Sequence, residues 1–371
     1  MHTHSAQWRD RRVRPLVMRA LAAAALLVAA IGPAWAGSDL RRGTDGALEL
    51  QLPVGARGTA LGGTVVADAS GVEAIFWNPA GVASAERTEV MFTHTQYFAD
   101  MKLNYAALAT KLGDFGVLGL SAKVLSIGDV IVTTEDAPDG TGEILTPTFS
   151  VLGVSVARQF TDRVLFGGTL NYVNENVASV SASGVAFDLG VQYVTGWHRL
   201  RFGMAMKNVG PSMAFNGPGF ETNIQPPGSD PTAANRTFRA TSASFEMPSF
   251  FTLSASGEVM RSARNHLLVM GAFQNNNFTG DVIRGGAEWK YDDVFVLRGA
   301  WFGSFSSTVD LDSGEEISRF SSGEGIYSGF ALGTGAYVRM GDAAHVGVDL
   351  AWRPVKAFFD DTIEMALTFT F

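Results

Sequence analysis

The sequence predicts an all-β fold, an antiparallel transmembrane β-barrel of about fourteen strands with an N-terminal hatch. Three observations lead there. From Thr88 onward, apolar and polar residues alternate with period two. Short and long connections between the alternating runs are sorted, as in barrels with short inner turns and longer outer loops. The last run, "DTIEMALTFTF" (Asp361 to Phe371), places Ile363, Met365, Leu367, Phe369 and Phe371 on one face and ends on an aromatic residue.

The first element, residues 1–36, reads as a cleavable signal peptide. Arg9, Arg11, Arg12, Arg14 and Arg19 precede a short apolar core, Ala20 to Gly32, and "AWA" (Ala34 to Ala36) fits a cleavage site before Gly37. That core is too short for a membrane helix, which needs roughly 20 residues. Export places the mature chain in the outer membrane of a Gram-negative-type bacterium. Cysteine is absent, which excludes disulfides, thiolate metal sites and a lipoprotein anchor. The chain carries 28 Lys+Arg against 36 Asp+Glu, and the leader holds five of the arginines, so the mature chain is strongly acidic. Nucleic acid as a partner is excluded, because phosphate binding needs clustered Lys and Arg.

Residues 37–87 do not alternate and are expected to form the hatch. "DASGVEAIF" suits a short helix with Asp68 or Ser70 as N-cap. In "FWNPAG" (Phe76, Trp77, Asn78, Pro79, Ala80 and Gly81), proline turns the chain toward the first strand. Phe76 and Trp77 then pack inside the lumen, and the Asn78 side chain reaches strand backbone.

Residues 88–371 are expected to form the barrel, with strands beginning near Thr88, Lys102, Phe115, Thr148, Arg163, Gly184, Leu200, Ser249, Asn265, Asp281, Val294, Ile326, His345 and Asp361. In "GVAFDLGVQYV", Val185, Phe187, Leu189, Val191 and Tyr193 oppose Ala186, Asp188, Gly190 and Gln192. Leu189 is therefore assigned to lipid, and serine at Gly190, on the other face, is expected to be mild. The same parity places Asp188, Arg201, Lys207, Arg284, Glu288, Lys290, Arg298 and Asp349 inside, where buried charges need partners in one another or in the hatch.

Short turns are expected after even strands. Longer connections are expected after most odd ones: Leu125 to Pro147, Asn174 to Ser183, Asn208 to Pro248, Ser304 to Gly325 and Arg353 to Asp360. Tyr97, Tyr172, Tyr193, Trp289, Trp301, Tyr337 and Trp352 suit an aromatic girdle at the membrane interfaces. Phe369 and Phe371 form the expected assembly signal, read by the outer-membrane assembly machinery.

Catalytic and metal signals are weak. His94, His198, His266 and His345 have no partners at metal-ligand spacing, and "DLDSGEE" (Asp310 to Glu316) lacks a full calcium-ligand pattern. No catalysis, metal or cofactor is expected.

The stretch "PVGARGTALGGTVVADASGVEAIFWNPAGVA" (Pro53 to Ala83), with "KNVGP" (Lys207 to Pro211) more loosely, resembles the PorV/PorQ group within the superfamily of FadL-type barrels. The resemblance implies a fourteen-stranded barrel with the Asn-Pro-Ala element in its hatch. It implies a type IX secretion component whose partners are the secretion translocon and cargo signal domains. The alternative it implies is a FadL-like channel for hydrophobic small molecules. Outer-membrane lipids are partners under either reading.

Overall fold

The computed structural model describes residues 41–197, 199–226, 228, 230, 234–309, 316–340, 344–356 and 359–371, apart from the side chains of 306–309 and 316–319. The signal peptide, His198 and most of Asp310 to Glu316 lie outside the described residues.

Fourteen antiparallel strands close into a ring. They are β1 (Glu89–Gln96), β2 (Lys102–Lys111), β3 (Val117–Ser126), β4 (Thr148–Gln159), β5 (Val164–Val177), β6 (Val180–Val194) and β7 (Arg201–Val209). The second half is β8 (Phe250–Arg261), β9 (Asn265–Asn276), β10 (Asp281–Tyr291), β11 (Phe295–Val309), β12 (Phe330–Met340), β13 (Ala344–Arg353) and β14 (Thr362–Thr370). Each pairs with its neighbours in sequence. β1 closes the ring on β14, from Glu89↔Thr370 to Gln96↔Ile363. Closure leaves no unpaired edge in lipid, where each orphan backbone group would cost several kcal/mol. Phe371 lies just past β14 and exchanges backbone hydrogen bonds with Thr88.

All fourteen alternating runs correspond to barrel strands. The connections divide less evenly than expected. Those at 127–147, 210–249 and 310–329 are long, but β5 and β6 run on to meet at Val177↔Val180. Asn174 to Ser183 is therefore strand, not loop. Its outward residues Asn176, Ser181 and Ser183 are exposed beyond the apolar band, while Glu175 and Ala182 stay buried on the inner face. Ala178, at φ 52°, makes the tight turn.

Burial follows the pleat. Along β6, Phe187, Leu189 and Tyr193 are exposed, whereas Ala186, Asp188 and Gln192 are buried. Leu189 thus faces outward. Leu189→Arg is expected to cost about 2–4 kcal/mol near the bilayer midplane, measured by reversible unfolding in lipid; an unchanged midpoint would refute that orientation. The girdle assignment needs two corrections. Tyr97 is buried in the interior cluster, and the Tyr337 hydroxyl bonds Asp349 and Arg298 inside the ring. A tyrosine near a strand end also serves an internal charge, and for Tyr337 the parity it shares with Ala331, Gly333 and Gly335 marks it as inward.

The N-terminal segment lies within the ring. It holds two short helices, α1 (Ala56–Ala60) and α2 (Ala74–Trp77), and 3-10 turns at Leu48–Leu50, Thr64–Ala67, Gly71–Glu73 and Pro79–Ser84. Neither Asp68 nor Ser70 caps a helix. Ser70 precedes Gly71–Glu73 without a side-chain bond, and Asp68 pairs with Arg57 and Arg201. Val54, Leu61, Val65, Val72, Ile75 and Val82 are buried together with inward residues of β1, β2 and β3.

Candidate functional site

The segment touches the wall where the wall has no side chain. Gly167 on β5 and Gly190 on β6 face each other in register, and Gly203 on β7 is paired with Gln192. A Cβ on Gly167 would stand 2.3 Å from Pro79 O, on Gly190 2.0 Å from Asn78 Oδ1, and on Gly203 2.4 Å from Val66 O. Such separations are far inside van der Waals contact, so Gly167 and Gly190 seat the Asn78–Ala80 turn and Gly203 seats the Val66–Ala67 backbone beside it. The expectation that serine at Gly190 would be mild is overturned, because the inward face is packed there rather than open.

Asn78 is fully buried. Its Oδ1 accepts from Ala80 N at 3.1 Å, and its Nδ2 donates to Val66 O at 2.7 Å and to Val191 O at 3.2 Å. Only a side chain with both a donor and an acceptor meets all three demands. Gly81 lies against Ala69 O. Phe76 is half-buried between two inward lysines, with Lys207 Nζ 3.7 Å and Lys123 Nζ 4.3 Å from its ring centroid. Lys207 also donates to Phe76 O, and Lys123 donates to Glu49 O and Leu52 O. Trp77 is half-buried too, edge-on to Phe76 and lying over Gly58.

A second set of contacts ties the segment to the short-turn half of the ring. Arg57 reaches Asp68 at 2.7 Å, Glu288 at 2.8 Å and Glu73 at 3.1 Å. Glu288 also takes Arg298 at 2.7 Å and Lys290 at 3.4 Å. Arg298 bonds Asp349 and Tyr337, and Arg201 meets Asp68 at 3.1 Å. Signs alternate throughout, so each buried charge has an opposite neighbour. Burial alone would lower the Arg57 pKa. The Glu288, Glu73 and Asp68 carboxylates outweigh it and hold the guanidinium well above its ordinary value.

The remaining expected interior charges serve local roles. Asp188 accepts from Asn171 Nδ2 at 3.0 Å and from Asn208 N at 2.7 Å, stabilising a bulge between β6 and β7. Asn208 stands at φ 60°. That bulge accounts for the "KN" of Lys207 to Pro211, since it keeps Lys207 aimed at Phe76. Arg284 donates to Gly62 O at 3.0 Å and pairs with Glu324 at 2.9 Å. Arg57, Asp68, Glu73, Lys123 and the three seat glycines were missed from sequence. The glycines carried a readable signal, because they share parity with the inward polar residues.

Above the segment, toward the long loops, lies a cavity of about 1120 Å3. Phe76, Trp77, Gly62, Gly63 and Val66 form its floor, and Leu125, Phe149, Phe215, Phe245 and Phe250 belong to its walls. Lys207, Arg284, Glu175 and Gln274 add polar points. Leu125, Phe149 and Phe250 lie at the long-loop ends of their strands and Phe215 and Phe245 in the 210–249 connection itself, so cavity and ionic lattice occupy opposite halves of the lumen.

Glu49 sits at this boundary, buried beside Glu175, which accepts from Ala47 N at 3.2 Å. Burial, then the Glu175 carboxylate, pushes the Glu49 pKa up from 4.5 to about 8. A carboxyl that ionises less readily when docked favours docking while protonated. Retention of the segment is therefore expected to be strongest at and below pH 4.5 and to weaken as pH rises to about 8. Proteolysis of the N-terminal segment across that range measures it. Glu49→Gln should flatten the profile, and a profile unchanged by that substitution would refute the assignment.

Fold and lumen together define a plugged β-barrel of the outer-membrane type. A profile of the uncharacterised protein family UPF0164 matches residues 25–247, and the chain belongs to that family. No curated protein matches the sequence. Among solved structures, the chain is similar to the CymD monoaromatic hydrocarbon channel at 14% identity and a TM-score of 0.53, with 85% of this chain and 97% of that one covered. It is similar to the Pseudomonas putida toluene transporter TodX at 12% identity and a TM-score of 0.53, with the same coverage. A Pseudomonas aeruginosa FadL homologue aligns at 12% identity and a TM-score of 0.49, covering 86% of this chain and 98% of that one. The fold is thus a closed fourteen-stranded barrel like those of CymD and TodX. CymD is described as a channel and TodX as a transporter.

Proposed function

We propose that the protein is an outer-membrane channel that admits hydrophobic small molecules into its lumen from the long-loop end. The cavity carries this reading. Its volume of about 1120 Å3 suits an organic ligand, since ligand pockets typically span about 300–1,000 Å3. Its lining combines nine aromatic side chains with a comparable number of charged ones, so it offers an apolar body both ring contacts and polar points for orientation. The relatives described as hydrocarbon and toluene channels support the same class. Phe76 and Trp77, held by Asn78 and the lysine pair, form the chamber floor.

Equilibrium binding of alkylbenzenes to the barrel in lipid nanodiscs tests this. Saturable binding weakened by Phe250→Asp is expected. Non-saturable partitioning, equal to that of empty nanodiscs, would overturn it.

The type IX secretion role draws its support from the Pro53 to Ala83 signature. It calls for a translocon and cargo signal domains that co-purify with the protein from outer membranes. Recovery of the barrel without such partners under cross-linking would remove that reading.

A further inference from the structure

The polar groups on one cavity wall are not all satisfied. Arg353, the last residue of β13, is 6% exposed and lines the cavity. Its guanidinium stacks on the Tyr327 ring at 3.7 Å from the centroid and lies 5.3 Å from the Phe302 ring. Stacking uses the face of the group and leaves its N–H edge free. No ion pair or hydrogen bond engages that edge among the described residues, and Nε is buried without a partner. The buried hydroxyls of Tyr97 and Tyr327 lie close beside it and face each other, with no other partner. Lys356 lines the same wall without an acidic partner among the described residues. Of the nearby carboxylates, Glu324 is committed to Arg284 at 2.9 Å, and the buried Glu364 lies within reach of the Arg353 charge without forming an ion pair with it.

This wall is also built rigidly. Lys356 N donates to Ile326 O at 2.7 Å and Ser328 N donates to Pro354 O at 3.0 Å, so the outer loop clamps the chain that carries Arg353 and Lys356. A buried guanidinium with unused donors is costly unless an anion completes it. Bidentate recognition of a carboxylate is what its planar fork does best.

We propose that Arg353, assisted by Lys356, anchors the acidic head of an aromatic acid whose ring occupies the chamber. The inference rests on reading the cavity as a ligand chamber. It departs from the hydrocarbons named for the relatives, which have no head group. Nine aromatic side chains line the cavity. They favour a flat, rigid ring, which makes edge and offset contacts with little conformational loss.

The test is calorimetric binding to the barrel in nanodiscs of zwitterionic lipid, with 4-butylbenzoate, neutral 4-butylbenzyl alcohol and decanoate as probes. The benzoate should bind at least about tenfold more tightly than the alcohol. Arg353→Met, which keeps the apolar stem, should close that gap by weakening the benzoate alone. Lys356→Gln, at an exposed position, should narrow it about threefold and serves as the test if Arg353→Met fails to give a heat-modifiable barrel. Equal binding of benzoate and alcohol by the parent protein, or a gap untouched by both variants, would overturn the anchor while leaving the chamber intact. Decanoate binding as tightly as the benzoate would overturn the aromatic assignment. Failure of every probe to bind would remove the chamber and the anchor together.

Discussion

Gly190→Val is expected to unseat the N-terminal segment while leaving the barrel wall standing. The new Cβ would occupy the place of Asn78 Oδ1, 2.0 Å away, and would crowd Ala80 N at 2.9 Å. Overpacking of this kind costs about 1–3 kcal/mol. Displacing Asn78 also leaves Ala80 N unpaired, at about 1–3 kcal/mol, and takes from Val66 O one of its two donors, Gln192 Nε2 being the other. Together these exceed what a turn held by so few bonds withstands, so the turn leaves its seat. The wall keeps its ladder, because valine suits a strand and Gly190 pairs through its backbone with Gly167 and Ala205. Faster proteolysis between Gly55 and Ala83, larger conductance in planar bilayers and an unchanged heat-modifiable band are the expected results. Protease protection equal to that of the parent would refute the seat.

Glu288→Ala should act as strongly by a different route. Glu288 is fully buried and joins Arg57 of the segment to Arg298 of the wall, with Lys290 alongside. Removing it leaves three cations with Asp68, Glu73 and Asp349 as their remaining counter-charges. Breaking one side of a buried ion pair costs about 3–5 kcal/mol, because the surviving charge stays desolvated. Unlike Gly190→Val, this change also weakens β10 against β11, where Glu288 faces Arg298 in register. Urea unfolding in lipid should show a lowered midpoint for the whole barrel. A loss confined to the segment would mean that the lattice serves docking alone.

Strands were more legible in the sequence than what they enclose. Alternation is imposed on every strand by lipid on one side and a packed lumen on the other, so the strand starts could be read from parity. The exceptions have local causes. The β5–β6 hairpin extends past the apolar band, and its polar residues resemble a loop. Tyr337 turns inward on the parity of Ala331, Gly333 and Gly335, a signal its place near a strand end overrode, whereas Tyr97 lies just past the end of β1, where no periodicity applies. At the site, Phe76 to Gly81 announced itself through Asn-Pro chemistry, and the inward charges through parity. Their partners were hidden, because Arg57 meets Glu288 across most of the sequence and Arg353 is defined by contacts it lacks. Gly190 was misread for a related reason. A glycine on a polar face looks like spare room until the segment filling that room is in view.

In time, rather than in space, the glycine seat bears on how the barrel closes. Gly167, Gly190 and Gly203 lie on β5, β6 and β7, near the middle of the sheet, whereas the seam joins its two ends, β1 and β14. A sheet that is still open presents the seat to a segment already tethered to β1. Once the ring is shut, the same segment would have to enter a narrow lumen and strip water from Arg57, Asp68 and Glu73 along the way. Docking before closure avoids that barrier. A segment docked that early would act as a mandrel around which the sheet bends, leaving the bonds that join Thr88 and β1 to the C-terminal strand to close the ring.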